Sequence, residues 1–239
     1  MKLISPALLF CICLAAQSLA HGEAIKLPPG LNAGDQYRLA FVTTAQTTAQ
    51  SDDIETYNAF VQATADAAPI GDWNLEWKAI GSTATVSARQ NTSTDPVNDE
   101  SVPIFLLDGT QLVPDYASLW HVETDEIFVA FDVNEFGERF NFPDFQLSIW
   151  TGTGSDGFAF ELPGDIPFTG GPLGAGTHSI VGFGNDSSLA WMNTTSARNS
   201  SEIRMYGLSS VLTAVPEPAG YTNIVAAFLM FTVVRRRIH

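Results

Sequence analysis

The sequence predicts a single α+β domain of short antiparallel strands with one long helix and a long Gly-rich loop, closed around a core without cysteine. Three observations carry this. A helical apolar stripe occurs once with clear period, at Ile54, Tyr57, Val61 and Ala65. Short apolar runs bounded by Gly, Pro, Asn and Asp recur along the rest of the chain, as strands do in a sheet of hairpins. The only cysteines, Cys11 and Cys13, fall in the first 20 residues, so the remainder has no disulfide or thiol to draw on.

Residues 1–20 read as a secretory signal. Lys2 gives a positive start, Leu3 to Ala16 an apolar stretch, and Ser18-Leu19-Ala20 a small-residue cleavage site before His21. A single domain is expected over 21–214. Tyr37 to Thr43 predicts a strand with Tyr37, Leu39 and Phe41 on one face. Ser51 is expected to cap the long helix, with Asp52, Asp53 and Glu55 at its positive end. Trp77 and Ile80 are candidate core residues, and 81–99 reads as a polar loop.

Ile104 to Val113 predicts a hairpin. Asp108-Gly109 between apolar runs signals a two-residue type I′ turn, which would pair Leu107 with Thr110 and Phe105 with Leu112. Tyr116 to Trp120 reads as one helical turn delivering Leu119 and Trp120 to the core. Strands are expected at 127–131, 146–151, 188–192 and 203–212. Residues 152–184 are rich in Gly and Pro and read as a long loop, a feature that often carries function.

Charge excludes some classes. Residues 21–215 hold 7 basic and 25 acidic side chains, a balance of 7 − 25 = −18. Nucleic acid and anionic lipid are poor partners for such a surface.

Candidate sites follow from the motifs. Asp132-Val133-Asn134-Glu135-Phe136-Gly137 begins like a calcium loop but has Phe136 at position five and Pro143 at twelve. That leaves an irregular calcium site on Asp132, Asn134 and Glu135. Asp95, Asp99 and Glu100 form a second acidic group. Gly152-Thr153-Gly154-Ser155-Asp156-Gly157 fits G-x-G-x-x-G, yet no helix follows to receive a pyrophosphate, so a tight turn is the expectation. A hydrolase would need His121 or His178 beside a nucleophile such as Ser155 or Ser179. Phe158, Phe160, Phe168 and Phe183 could stack on a sugar or pin their loop to the core. Asn91, Asn185, Asn193 and Asn199 match the glycosylation pattern.

The tail has three parts in a specific order: Pro216-Glu217-Pro218, an apolar run from about 219 to 234, and Arg235-Arg236-Arg237. The run is expected to form a short transmembrane helix that anchors the precursor in the inner membrane, with the arginines cytoplasmic. In that order, over its final 25 residues, the chain resembles the PEP-CTERM sorting signal. The resemblance implies recognition of Pro216, Glu217 and Pro218 by an exosortase-type membrane protease, delivery through the secretion machinery, and association with exopolysaccharide. The body, with Trp77-Lys78-Ala79-Ile80-Gly81-Ser82, Leu119-Trp120 and Ile149-Trp150-Thr151-Gly152, is similar to secreted bacterial domains that carry such tails. Its order of pieces also resembles the C-type-lectin-like or endostatin-like α+β fold. Expected, then, is a non-enzymatic, surface-sorted protein that binds or structures extracellular matrix. A lectin-like carbohydrate or calcium module is the alternative, and a secreted hydrolase the third.

Overall fold

The computed structural model describes residues 27–120, 129–141, 147–161, 170–186 and 189–215. The expected leader, Pro216-Glu217-Pro218, the apolar tail, Arg235-Arg236-Arg237, His121 and Phe168 lie outside the described residues. Within them, no helix is long and apolar enough to cross a membrane.

The architecture is mixed α and β, with one sheet of nine short strands. β1 (Gln36–Val42), β3 (Ile104–Leu106), β4 (Gln111–Val113), β5 (Ser148–Trp150), β6 (His178–Phe183), β7 (Thr195–Arg198) and β8 (Arg204–Ser209) run in the order β4-β3-β1-β8-β5-β6-β7. β2 (Trp77–Ala79) also pairs with β8, and β9 (Leu212–Thr213) pairs with β1. The expectation of antiparallel strands is corrected at two places, because β1 runs parallel to β3 and β5 parallel to β8.

β8 sits at the centre. Its Tyr206, Gly207 and Leu208 pair with Val42, Phe41 and Ala40 of β1. Along its other edge Gly207 to Ser209 pair with β2, and Arg204 and Met205 with β5. Gly207 is required here, since a Cβ would sit 2.7 Å from the Phe41 ring.

Both faces of the sheet are buried, so its strands are apolar on successive residues rather than alternating. Tyr37, Leu39 and Phe41 share one face, as their spacing predicts, with Trp77, Trp150 and Met205. Ala40 and Val42 face the other way, into a cluster with Trp120, Phe131, Trp191 and Tyr206. On the first face lies α1 (Ile54–Asp66), whose Ile54, Tyr57, Val61 and Ala65 are buried. It spans 13 residues, and its cap is Asp53, which accepts from the Glu55 N–H, rather than Ser51. Ser51 Oγ instead accepts from the Asp53 N–H, one step outside the helix.

Several local expectations change. The stretch 81–99 contains α2 (Ala88–Thr92), opened by a capping box in which Ser87 and Gln90 satisfy each other's backbone. α3 (Tyr116–Leu119) is the single turn expected, and Leu119 and Trp120 are fully buried. Residues 129–131 are irregular, although Phe131 is fully buried. The 188–192 strand is replaced by a 3-10 turn at Leu189–Trp191. The supposed loop 152–184 contains β6, in which Gly182 lets the Trp191 carbonyl approach to where a Cβ would stand.

Three motifs are one device. Gly109 N–H closes a turn on the Leu106 carbonyl at 2.9 Å, and Leu106 N–H returns to the Thr110 carbonyl at 2.8 Å. Gly137 and Asn134 do the same with Asn134 and Glu138, and Gly157 and Gly154 with Gly154 and Phe158. Each glycine has positive φ, at 86°, 76° and 81°. All three are three-residue hairpin loops ending in a glycine bulge. Asp108 keeps negative φ, so the expected type I′ turn does not form. The register moves accordingly, and Phe105 pairs with Gln111.

Candidate functional site

The hairpin at 152–160 builds one wall of a surface groove. Gly152 (φ 60°) and Gly157 allow it to fold back, with Thr153 bridged to Ala159 and Phe160 N–H donated to the Gly152 carbonyl at 3.1 Å. This is the G-x-G-x-x-G segment, and it is a turn, as its lack of a following helix implies. Asp156 Oδ1 accepts from the Phe158 N–H at 3.1 Å and fixes the bulge.

Buried hydroxyls join this hairpin to α2. Thr153 Oγ1 donates to Ser82 Oγ at 2.9 Å, and Ser82 Oγ accepts from the Ala88 N–H at 2.8 Å. Gly157 packs so closely that a Cβ would sit 2.6 Å from the Trp120 ring. Trp120 is itself held by donation from Nε1 to the Thr94 carbonyl at 2.8 Å.

Between the two elements lies a groove of about 660 Å³, lined by Thr83, Ser87, Gln90, Asp156, Phe158 and Asn193 among others. Phe158 is 50% exposed on its wall. Behind the ring stands Arg89, its guanidinium 4.7 Å from the Phe158 centroid and 5.9 Å from that of Trp120. A cation held against two rings is stabilised by their quadrupoles and fixes their orientation. Arg89 Nε is buried without a hydrogen-bond partner. Burial holds the Arg89 guanidinium below its ordinary pKa, while Asp156 and Asp95 act in the opposite direction. The groove thus offers the immobilised Phe158 ring, a second ring in Phe160, two carboxylates, two amides and hydroxyls. That is the donor, acceptor and stacking set a polyol presents a need for.

The other sequence-derived candidates are placed as follows. Asp132, Asn134 and Glu135 belong to the hairpin in which Val133 is bridged to Arg139, and each already accepts from a protein donor. Asp132 Oδ1 accepts from Arg139 at 2.6 Å. Asn134 Oδ1 accepts from the N–H groups of Phe136 and Glu138 at 2.9 and 3.0 Å. Glu135, buried, accepts from the Thr44 N–H at 2.9 Å and from the Thr44 hydroxyl. Burial raises the Asp132 carboxyl above its ordinary value, a shift Arg139 opposes. In the second acidic group Asp95 accepts from Val97 N–H and Asn98, and Asp99 accepts from the Asp95 N–H at 2.7 Å. Among the described residues, no three His, Cys, Asp or Glu side chains are grouped to hold a metal ion.

Ser179 and His178 are not brought together. Ser179 is buried and its hydroxyl lies 2.9 Å from both Asn199 Oδ1 and the Pro172 carbonyl. His178 Nδ1 lies 2.9 Å from the Thr177 hydroxyl. Neighbours in a strand point to opposite faces, which separates the pair. Ser155 lines the groove, and among the described residues no histidine does. Phe160 also lines it, whereas Phe183 is buried in β6. Asn91 and Asn199 are buried, which removes both as accessible glycosylation acceptors.

Arg89 and the groove itself were not singled out by sequence. The visible signal was Ser87-Ala88-Arg89-Gln90, a capping box that places Arg89 in a first helical turn. No protein-family model matches the chain, and no curated protein matches it.

Proposed function

We propose that the chain is an exported, non-enzymatic protein whose 21–214 domain binds extracellular polysaccharide through the Phe158 groove. The half-exposed Phe158 ring, immobilised by Arg89 on the wall of a polar groove, is the observation that carries the reading. Sugars present apolar C–H faces to such a ring and hydroxyls to side chains like Gln90, Asp156 and Asn193. The acidic surface keeps the domain soluble and away from nucleic acid and anionic lipid.

In the same proposal, Pro216, Glu217 and Pro218 direct processing by an exosortase-type membrane protease. The 219–234 run is a temporary anchor stopped by Arg235, Arg236 and Arg237. The support is the order of these parts at the end of the sequence.

A glycan array followed by calorimetry on the best neutral oligosaccharide tests the groove. Phe158→Ala should weaken binding about tenfold while leaving the fold intact. Binding should persist in a chelator, since Asp132, Asn134 and Glu135 are committed to protein donors. Abolition by chelator would favour the calcium-dependent lectin reading instead. For the tail, Pro216→Ala with Glu217→Ala should block processing. Unchanged processing and location would remove the sorting reading.

A further inference from the structure

A second cleft, of about 580 Å³, lies where β6 and β7 begin and end, lined by Gln50, Gly176, Thr177, His178, Arg198 and Ser200 among others. Its composition is unlike the rest of the surface. The chain has 26 acidic and 11 basic residues, yet among the described residues no carboxylate lines this cleft.

Two nitrogen-bearing side chains are placed together by register. His178 and Arg198 are directly opposed across the antiparallel β6–β7 pair, which puts both side chains on one face. The remaining basic residues of the described chain are engaged elsewhere. Arg38 donates to the carbonyls of Ser209 and Thr92, Lys78 pairs with Glu76, and Arg139 pairs with Asp108 and Asp132. Arg89 and Arg204 are set against aromatic rings. Among the described residues, the Arg198 guanidinium has no hydrogen-bond, ion-pair or ring partner. It is an exposed cation in a strongly acidic molecule, and no carboxylate of the described residues is paired with it.

Backbone donors join it. The N–H groups of Gly176 and Thr177 have no protein acceptor among the described residues. Gly176 has φ of 59°, and a Cβ there would meet nothing within 4 Å. Adjacent N–H groups in such a bend form a concavity suited to an anion. The hydroxyls of Thr177 and Ser200 complete the set.

We infer that this cleft is a binding site for a carboxylate, of the kind an acidic sugar carries, held by the Arg198 guanidinium with the Gly176 and Thr177 N–H groups. A planar guanidinium meets a carboxylate with two parallel hydrogen bonds, and the cleft has room for the pyranose behind it. The inference does not depend on the Phe158 groove, which is a separate cleft with different chemistry.

The test is calorimetric titration of the full chain with glucuronate, glucose and acetate at low ionic strength. Glucuronate should bind and glucose should not. Arg198→Ala should weaken glucuronate about tenfold or more, as should Ser200→Glu, which puts a carboxylate where the ligand's belongs. Both positions are exposed, and far-UV circular dichroism verifies that each variant folds. Acetate binding as tightly as glucuronate would support the carboxylate site and assign it to free small carboxylates. Equal binding of glucose, unweakened binding by both variants, or no binding by the wild-type chain would overturn the inference.

Discussion

Asn58 and Asn91 exchange a reciprocal pair of amide hydrogen bonds, each 2.8 Å, across the contact between α1 and α2. The same two side chains bracket β2, with Asn58 Oδ1 accepting from the Ala79 N–H and Asn91 Nδ2 donating to the Ala79 carbonyl. Two amides therefore tie two helices to one strand with donors and acceptors matched. Asn58→Ala should leave the Ala79 N–H and the Asn91 amide oxygen unsatisfied in the interior, at a cost of about 2–3 kcal/mol. Urea denaturation would measure this. Asn58→Asp should also destabilise at neutral pH, because the Asn91 amide oxygen would face a carboxylate.

Gly157 and Gly109 make a matched comparison. Both close a bulged hairpin at positive φ, 81° and 86°. A Cβ at Gly109 meets only Pro29 Cδ at 3.3 Å, so Gly109→Ala should cost about 1 kcal/mol, the left-handed backbone term alone. At Gly157 a Cβ would enter the Trp120 ring and the Arg89 side chain, adding a packing term. Gly157→Ala should cost about 3 kcal/mol or more and displace Phe158. Thermal melts of the two variants side by side would check the ranking.

Alkaline pH should unfold the domain. Burial raises the Tyr37, Tyr57 and Tyr206 hydroxyls above their ordinary value of 10.0, Tyr57 to about 12. Tyr57 and Tyr206 also donate their protons, to the Ser51 and Trp191 carbonyls at 2.7 and 2.8 Å. The unfolded chain ionises first. Stability is therefore intact below pH 10 and falls as pH rises toward and past 12. Tyrosinate absorbance should rise together with loss of far-UV dichroism, in one step. Ionisation of Tyr37, Tyr57 and Tyr206 near pH 10 without unfolding would contradict this.

Arg139 joins two hairpin loops, reaching Asp108 at 2.8 Å and Asp132 at 2.6 Å. It is 41% exposed, so Arg139→Ala should cost no more than about 1 kcal/mol, and less in high salt. Its clearer effect should be on Asp132. Burial already raises that carboxyl, and removing the opposing cation should raise it further. A raised carboxyl lowers stability as pH climbs through its folded value, so the variant should lose most at neutral pH. The Asp132 titration followed by carboxyl NMR gives the direction.

Where a residue pattern was answered locally, the sequence was readable. The alternation in β1, the stripe on α1 and the Trp120 turn each depend on neighbours a few positions away. Hairpin 104–113 was readable in place but not in register, because Asp108 keeps negative φ and the third loop residue shifts the pairing. β6 was hidden by Gly182, whose role is to admit the Trp191 carbonyl from a segment nine residues away. β7, Thr195-Ser196-Ala197-Arg198, has no apolar pattern, since it lies at the end of the strand order. The same composition that hid β7 placed Arg198 opposite His178. The groove was half visible: Phe158 stood out in the glycine-rich stretch, but the cation behind it came from a helix that had read as a polar loop.

The placement of β8 also sets the order in which the molecule can be made. Residues 204–209 are among the last of the domain to be synthesised, yet they lie between β1 on one side and β2 and β5 on the other. Until they emerge, the earlier strands have no common partner, and both apolar clusters stay open. The domain therefore cannot assemble from its N-terminus as it is synthesised. It should remain extended until nearly all of it is present, then close around its latest strand in one slow, long-range step.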